Sequence, residues 1–156
     1  MKNTSVVKLF KQYVKNTASK QPVFEETVFV CNLTNEVKKV CGLDSSRAYL
    51  NTKILKHLYD KKPAEEFDFI IRNVHTITKY PDKIYKNRAS KRGAFCLVKK
   101  LKGDLYFCSI EVAQEISLDG FAENRNYIVT CFRLRNENYL KNYELLWSWK
   151  GGVPSS

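Results

Sequence analysis

The chain has 156 residues, 44% of them apolar and 28% charged, which is typical of a single globular domain. Its 27 basic and 16 acidic residues give a net charge of +11 at pH 7, so an anionic partner is expected. No stretch approaches the roughly 20 apolar residues that a membrane-spanning helix needs, and residues 1–20 lack the apolar segment of a secretory signal. We therefore expect a protein that acts in the cytoplasm and has no membrane partner.

The five cysteines show neither a CxxC pair nor the histidine-flanked spacing that is typical of zinc sites. Cys96, Cys108 and Cys131 lie within apolar runs of the kind that form strands. Such thiols are usually small core residues. The sequence therefore predicts buried cysteines, and it predicts no metal ion or other cofactor.

The first half of the chain predicts helices around one short strand. Residues 4–18 predict a polar helix, residues 28–33 a buried strand, and residues 35–42 a helical turn that Gly42 ends. Residues 46–61 predict a clearer helix, because Leu50, Ile54 and Leu58 form one apolar stripe. We expect this helix to be capped by one of the polar residues at positions 44–46.

A further helix is predicted to begin at Pro63, because proline favours the first helical position and two glutamates follow it. Its apolar stripe consists of Phe67, Ile70, Ile71, Val74 and Ile77. Tyr80 precedes a proline, which disfavours the helical conformation and predicts the end of the helix.

The second half predicts strands. Residues 93–101 and 105–113 form a predicted hairpin, in which Ser109 and Glu111 occupy the face opposite to the apolar residues. Residues 117–126 predict a loop, residues 126–135 a third strand and residues 142–150 a fourth. We expect an α+β fold with N-terminal helices packed on a C-terminal four-stranded antiparallel sheet whose other face is open. Residues 1–27 would form an N-terminal helix or arm, and residues 28–156 a single domain.

Positive charge is concentrated in residues 79–102, which hold nine lysines or arginines and a single acid, Asp82. A solvated basic loop is one interpretation; a polyanion-binding surface is the favoured one, because charges this dense repel unless phosphates screen them. Pro81, Asn87 and Gly93 interrupt the segment, so an amphipathic membrane helix is not expected. RNA suits the chain better, because unpaired bases stack on aromatic rings and guanidinium planes. Residues of these types are Tyr80, Tyr85, Arg88, Arg133, Trp147 and Trp149.

Acid–base chemistry on RNA is open to this sequence. The carboxylates do not cluster as a divalent metal site requires, but metal-free cleavage needs only a general base or acid and cations beside the phosphate. The two histidines, His57 and His75, border helical stripes, and a structural hydrogen bond is the competing interpretation for each. Thr130 is either a β-forming residue or a hydroxyl donor to phosphate. Arg133 has the opposite strand parity to Thr130, so a bulge would be needed to bring both to one site.

The segments KHLYDKKP, YPDKIYKN and IVTCF, in this order, resemble the phage-associated barnase, EndoU, colicin and RelE-like (BECR-fold) nuclease group. The resemblance covers roughly residues 28–150. It implies a metal-independent endoribonuclease toxin that cleaves RNA by attack of the 2′-hydroxyl, with tRNA among the candidate substrates. It also implies an acidic immunity or antitoxin protein as partner.

The resemblance places His57 at the helical histidine position, Thr130 at the strand hydroxyl position, and Arg88 and Lys99 where cations face phosphate. These four are the predicted catalytic residues. The predicted substrate-binding residues are His75, Lys86, Lys91, Arg92, Arg133 and Trp147. A Glu-Arg-His set like that of barnase is not evident, so the general base stays open.

Two alternatives from other classes also fit the basic face. One is a non-catalytic RNA- or DNA-binding phage regulator. The other is an inhibitor or decoy that binds an acidic host protein.

Overall fold

The structure, a computed structural model, describes residues 4–88, 95–116 and 118–149. The described residues form helices α1 (Ser5–Tyr13), α2 (Asn35–Cys41), α3 (Thr52–Lys61) and α4 (Ala64–Lys79) and a 3₁₀ turn, η1 (Glu137–Leu140). The strands are β1 (Thr27–Asn32), β2 (Arg47–Asn51), β3 (Lys83–Asn87), β4 (Phe95–Leu101), β5 (Asp104–Ile116), β6 (Ala122–Leu134) and β7 (Tyr143–Ser148). None of the described helices combines the length and apolar character that crossing a membrane requires.

All seven described strands join one mixed sheet in the order β1-β2-β6-β5-β4-β3-β7. Neighbours are antiparallel except β2 and β6, which run parallel. The fold is α+β, but the prediction of N-terminal helices on a four-stranded antiparallel sheet is wrong. The predicted strands β4 to β7 are present, and β1, β2 and β3 extend the same sheet.

The missed strand β2 lies where the sequence predicted the first turns of a helix. Leu50 fits a helical stripe, but Ala48 and Leu50 also alternate with Arg47 and Tyr49, and this second pattern prevails because β1 and β6 flank the segment. The helix starts only at Thr52. Asn51 caps it, since its side-chain oxygen accepts a hydrogen bond from the backbone N–H of Ile54 at 2.9 Å.

The missed strand β3 lies inside the basic segment. Its buried Ile84 is flanked by Lys83 and Tyr85, and the strand pairs with β4 on one side and β7 on the other. Its few apolar positions give only a weak alternating signal. The charge of the segment therefore concealed its place in the sheet.

Helices α1, α3 and α4 cover one face of the sheet and build the main core with it. The predicted stripe of α4 is confirmed as buried over Phe67, Ile70, Ile71, Val74 and Ile77. All five cysteines are buried, and none of them forms a disulfide bond. Burial raises the pKa of Cys31, Cys41 and Cys96 to about 12, which keeps these thiols protonated at neutral pH.

The opposite face of the sheet, here called the open face, is covered over part of its area. Cys96, Val98, Phe107 and Leu134 form a second core there. The chain around η1 lies over it, with the ring of Tyr139 edge-on to that of Phe107 at 5.4 Å. The expectation that this whole face is open is therefore wrong; β1, β2 and the adjoining parts of β6 and β5 form its uncovered part.

The segment before β1 is held to the fold by a buried ion pair of α3. Lys56 Nζ donates hydrogen bonds to the carbonyl oxygen of Ala18 at 2.6 Å and to Asp60 Oδ1 at 2.7 Å. Asp60 Oδ2 accepts a hydrogen bond from the backbone N–H of Lys20 at 3.0 Å. The hydrogen bond from Lys56, and then that from Lys20, lowers the pKa of Asp60.

We expect Asp60→Asn to destabilise the protein at pH 7 and to matter progressively less in acid. Because the pKa of Asp60 is depressed in the folded state, its contribution is present above the unfolded value of about 3.9 and is lost as pH falls through the folded value. Urea unfolding at pH 7 and pH 3 measures both. Asp68→Asn is the control, because Asp68 pairs with Arg72 at the same i,i+4 spacing but in solvent. Equal effects of the two variants at both pH values would contradict a stabilising role of the Lys56–Asp60 pair.

Candidate functional site

The structure does not bring the predicted catalytic residues into one cleft. His57 is exposed on α3, where it lines a pocket of about 420 Å³ together with residues 20–23 and Lys53. Helix α3 packs on β2 and β6. Lys99 lies in β4, two strands from β6 and therefore roughly 10 Å further across the sheet. The imidazole and the ammonium group thus occupy separate sites.

Lys99 is a buried residue rather than a surface cation, with 1% of its area exposed. Its Nζ donates a hydrogen bond to the carbonyl oxygen of Tyr80 at 2.8 Å and lies 3.6 Å from Asp82 Oδ1. Lys99 has the same strand parity as the core residue Leu97, so it points under the end of α4. This position is that of a structural ion, not of a phosphate ligand.

Two of the remaining predicted cations lie in or directly after β3, a strand that pairs on both sides. Arg88 is exposed in the turn after β3, and Lys86 is exposed within β3, paired with Phe95 and Glu144. Lys91 and Arg92 lie outside the described residues.

Thr130 and Arg133 lie on different faces, as their parity predicted. Thr130 pairs with Ser109 on the open face, whereas Arg133 pairs with Tyr106. The ring of Tyr106 stacks on Phe69 of α4 at 4.7 Å, which places Arg133 on the helical side. The register of β5 and β6 shifts before Thr130, so this bulge does not bring Thr130 and Arg133 to the same face.

The last two predicted binding residues also lie on the helical side of the sheet. Trp147 pairs with Ile84 and packs against the main core. His75 is half-buried on α4, and its Nε2 lies 3.3 Å from the hydroxyl of Thr76. Burial, and then the charge of Lys79, lowers the pKa of His75. Both residues are therefore remote from Thr130.

A group that the sequence did not predict lies on the uncovered part of the open face. Phe29 of β1, Tyr49 of β2 and Tyr127 of β6 stand side by side, with ring centroids 6.1 Å and then 6.0 Å apart. Glu111 of β5 pairs directly with Tyr127 and continues the line. Four neighbouring strands thus present three rings and a carboxylate in one row.

Two arginines lie over these rings. The guanidinium of Arg47 is 4.6 Å from the centroid of Phe29, and its Nε donates to the hydroxyl of Tyr49 at 2.8 Å. Arg125 lies 5.0 Å above the ring of Tyr49. A hydrogen bond with Tyr127 raises the pKa of Arg125 further. We call Phe29, Arg47, Tyr49, Arg125 and Tyr127 the aromatic–arginine row.

A groove of about 470 Å³ opens beside this row. Glu25, Asn51, Glu111, Arg125 and Tyr127 are among its lining residues. Strand β4 of the basic segment begins close to this groove. Its first residue, Phe95, pairs with Ile110, the residue before Glu111. Within the described ranges, no three His, Cys, Asp or Glu side chains converge as metal ligands. The arrangement offers planar cations, stacking surfaces and carboxylates.

Comparisons with known proteins leave this site unassigned. No protein-family model, curated protein or solved structure matches the chain. The resemblance to the BECR-fold nucleases therefore stays a prediction from short motifs. The function has to be argued from the chemistry of the site itself.

The sequence does contain a signal for the aromatic–arginine row. The pattern Arg-x-Tyr occurs as Arg47-Ala48-Tyr49 and again as Arg125-Asn126-Tyr127. In a strand, residues two apart share a face, so each pattern places a guanidinium beside a ring. The first pattern fell in a segment predicted to be helix. The second pattern crossed the predicted boundary between a loop and the third strand, so Arg125 was not placed on a strand face.

Proposed function

We propose that the protein binds single-stranded RNA across the aromatic–arginine row. The observation that carries the proposal is the presence of both Arg-x-Tyr pairs on one uncovered face of adjacent strands, β2 and β6. Unpaired bases stack on aromatic rings and on guanidinium planes, and arginines also attract phosphates. Bases in a duplex would not expose their faces to such a row.

The electrostatics support the same ligand. The net charge of +11 favours a polyanion, and Arg88 at the described end of the basic segment is exposed to solvent. Strands β3 and β4 belong to the basic segment and pair with each other, and β4 begins to pair with β5 at Ile110. Phosphates of a strand that crosses the row can therefore approach these cations.

We expect Tyr49→Ala to weaken the binding of a labelled single-stranded RNA by roughly 5- to 150-fold, because loss of one stacking contact costs about 1–3 kcal/mol. Fluorescence anisotropy at fixed salt measures the affinity. Trp149→Ala is the matched control: Trp149 is an exposed aromatic residue at the far end of the sheet. A loss for Trp149→Ala without one for Tyr49→Ala would contradict the proposed surface.

The salt dependence separates cations from rings in the same assay. Arg125→Ala should reduce the slope of log affinity against log salt by about 0.7 if Arg125 meets one phosphate of a single strand. Tyr49→Ala should leave that slope unchanged. Single-stranded DNA and duplex RNA serve as competitors, and preference for the duplex would overturn the single-strand proposal.

Cleavage of the bound RNA, which the sequence predicts, is a second proposed function, and the position of Glu111 favours it. Glu111 lines the groove and pairs directly with Tyr127. Arg125 is its diagonal neighbour across the two strands, with a backbone separation of roughly 7–8 Å. Thr130 contributes a hydroxyl from the next open-face row. The groove therefore combines a carboxylate base, a cation and hydroxyl groups.

The reaction proposed for this site is transesterification. Glu111 takes the proton of a ribose 2′-hydroxyl, whose oxygen attacks phosphorus while the bond from phosphorus to the 5′-oxygen breaks. The leaving 5′-oxygen takes a proton from solvent, to which Glu111 returns the proton that it accepted. The products are a 2′,3′-cyclic phosphate and a 5′-hydroxyl, and Arg125 would neutralise the charge that develops on the phosphate. The base is thus Glu111 instead of His57. The toxin role and the acidic immunity partner rest on the resemblance alone.

A further inference from the structure

The far ends of β5 and β6 form a two-stranded arm that projects from the sheet. The pairs from Ala113 with Arg125 to Ile116 with Ala122 lie beyond Ile110, where β4 begins to pair. No described strand pairs with these residues, although the side chain of Asn124 donates a hydrogen bond to Asp44 Oδ2 at 2.7 Å. Isolated two-stranded hairpins are marginally stable in water, so the arm is expected to gain stability from a contact. We call the described residues 113–116 and 118–125 the hairpin arm.

The tip of the hairpin arm is apolar and exposed. Ile116 is 73% exposed, Phe121 is 74% exposed and Leu118 is fully exposed. The arm also contains three acids, at positions 115, 119 and 123, and one basic residue, Arg125, in a chain of net charge +11. Arg125 Nε lies 3.7 Å from Glu123 Oε2, so the arm keeps an excess of negative charge after this pair is counted. The tip therefore suits a surface with an apolar floor and a basic rim.

The same chain carries such a surface at the other end of the sheet. A groove of about 610 Å³ has Val98, Leu105 and Leu140 on its apolar side and Lys83, Lys100 and Lys141 as its cations. Of its two acids, Asp82 already interacts with Lys99 and accepts a hydrogen bond from the backbone of Lys100 at 2.8 Å. We call this surface the lysine groove. Its positive charge matches the negative charge of the hairpin arm.

The two surfaces cannot meet within one copy. Leu105 lines the lysine groove and Ile116 lies at the tip, and both belong to β5. At about 3.4 Å per residue they lie roughly 37 Å apart along the strand. We infer that the hairpin arm of one copy docks in the lysine groove of a second copy. Repeating this contact builds a head-to-tail assembly, because the two patches differ.

The first test is the mass of the purified full chain without RNA, measured by sedimentation over a range of concentrations. The average mass should rise with concentration for the wild type and stay monomeric for Leu118→Glu/Phe121→Glu. Phe24→Glu is the control, because Phe24 is 68% exposed in the segment before β1, outside both surfaces. A wild type that is monomeric at every concentration, or a tip variant that still assembles, would overturn the inference.

A charge exchange makes the test independent of folding defects. Asp119→Lys/Glu123→Lys gives the chain a positive arm, and Lys100→Glu/Lys141→Glu gives it a negative groove. Each variant alone should stay monomeric, because arm and groove then carry like charges. An equimolar mixture should assemble again, since every arm then finds a groove of opposite charge. Failure of the mixture to gain mass, with both variants folded by circular dichroism, would count against the docking.

Discussion

Lys99→Ala is expected to lower the free energy of unfolding by about 3 kcal/mol. The substitution removes a buried cation, leaves the carbonyl of Tyr80 without this donor and opens a cavity beneath α4. Removing one partner of a fully buried ion pair costs about 3–5 kcal/mol, and the lower end applies because the side chain of Asp82 is 27% exposed.

Urea unfolding measures this loss, and Lys53→Ala is the control. Lys53 is exposed on α3, so its removal should change the stability by no more than about 0.5 kcal/mol. Lys99→Met keeps most of the buried volume and should therefore be less destabilising than Lys99→Ala. It should also bind RNA like the wild type. A stable Lys99→Met with a reduced salt slope would instead favour the phosphate-binding role predicted from the sequence.

The parts of the fold that the sequence predicted are those fixed by local patterns. Helix α4 has a long apolar stripe with a proline before it and another after it, and β4 and β5 alternate around the turn at Gly103. Gly103 adopts a φ of +86°, which glycine reaches without steric cost. Strand β2 was missed because its five residues, Arg47–Asn51, fit two periods equally well, and only the neighbouring strands decide between them.

The candidate site was less accessible because long-range pairing creates it. Tyr49 and Tyr127 are neighbours in a parallel pair of strands, although half of the chain's length separates them in sequence. Local periodicity places each ring on a face but cannot pair the two strands. The same parity argument, applied to Lys99 and Leu97, would have placed Lys99 in the core. Its assignment to phosphate came instead from the resemblance to the BECR-fold nucleases.

The general base could not be predicted for the same reason, because strand pairing and not local sequence decides what lies beside each side chain. In the sequence, Glu111 stands between the apolar residues Ile110 and Val112, so nothing beside it indicates a general base. In the sheet it faces Tyr127 and shares a groove with Arg125. His57 borders an apolar stripe in sequence, but on α3 it is exposed and lines a neighbouring pocket, which shares Glu25 with this groove. His57 itself is not among the residues that line the groove.

If the bound RNA is cleaved, Glu111→Gln should lower the cleavage rate by roughly 10²- to 10⁴-fold, which is the usual contribution of a general base. Glutamine keeps the size of the side chain but cannot accept the 2′-hydroxyl proton. The affinity for RNA should therefore stay the same or rise slightly, because a negative charge beside the phosphates is lost. The rate is measured with end-labelled single-stranded RNA, with and without chelator.

Glu65→Gln is the matched control, because Glu65 is an exposed glutamate at the start of α4. The double variant His57→Ala/Arg88→Ala should also retain the rate at saturating RNA, since neither side chain lines the groove of Glu111. Loss of the Arg88 cation should appear only as a weaker affinity. Loss of activity in that variant, with Glu111→Gln active, would restore the site predicted from the sequence. RNA that the wild type binds but leaves intact after long incubation would instead identify a binding protein that does not cleave. In that case Glu111 serves only to shape the groove, and the effect of Tyr49→Ala on affinity still tests the binding surface.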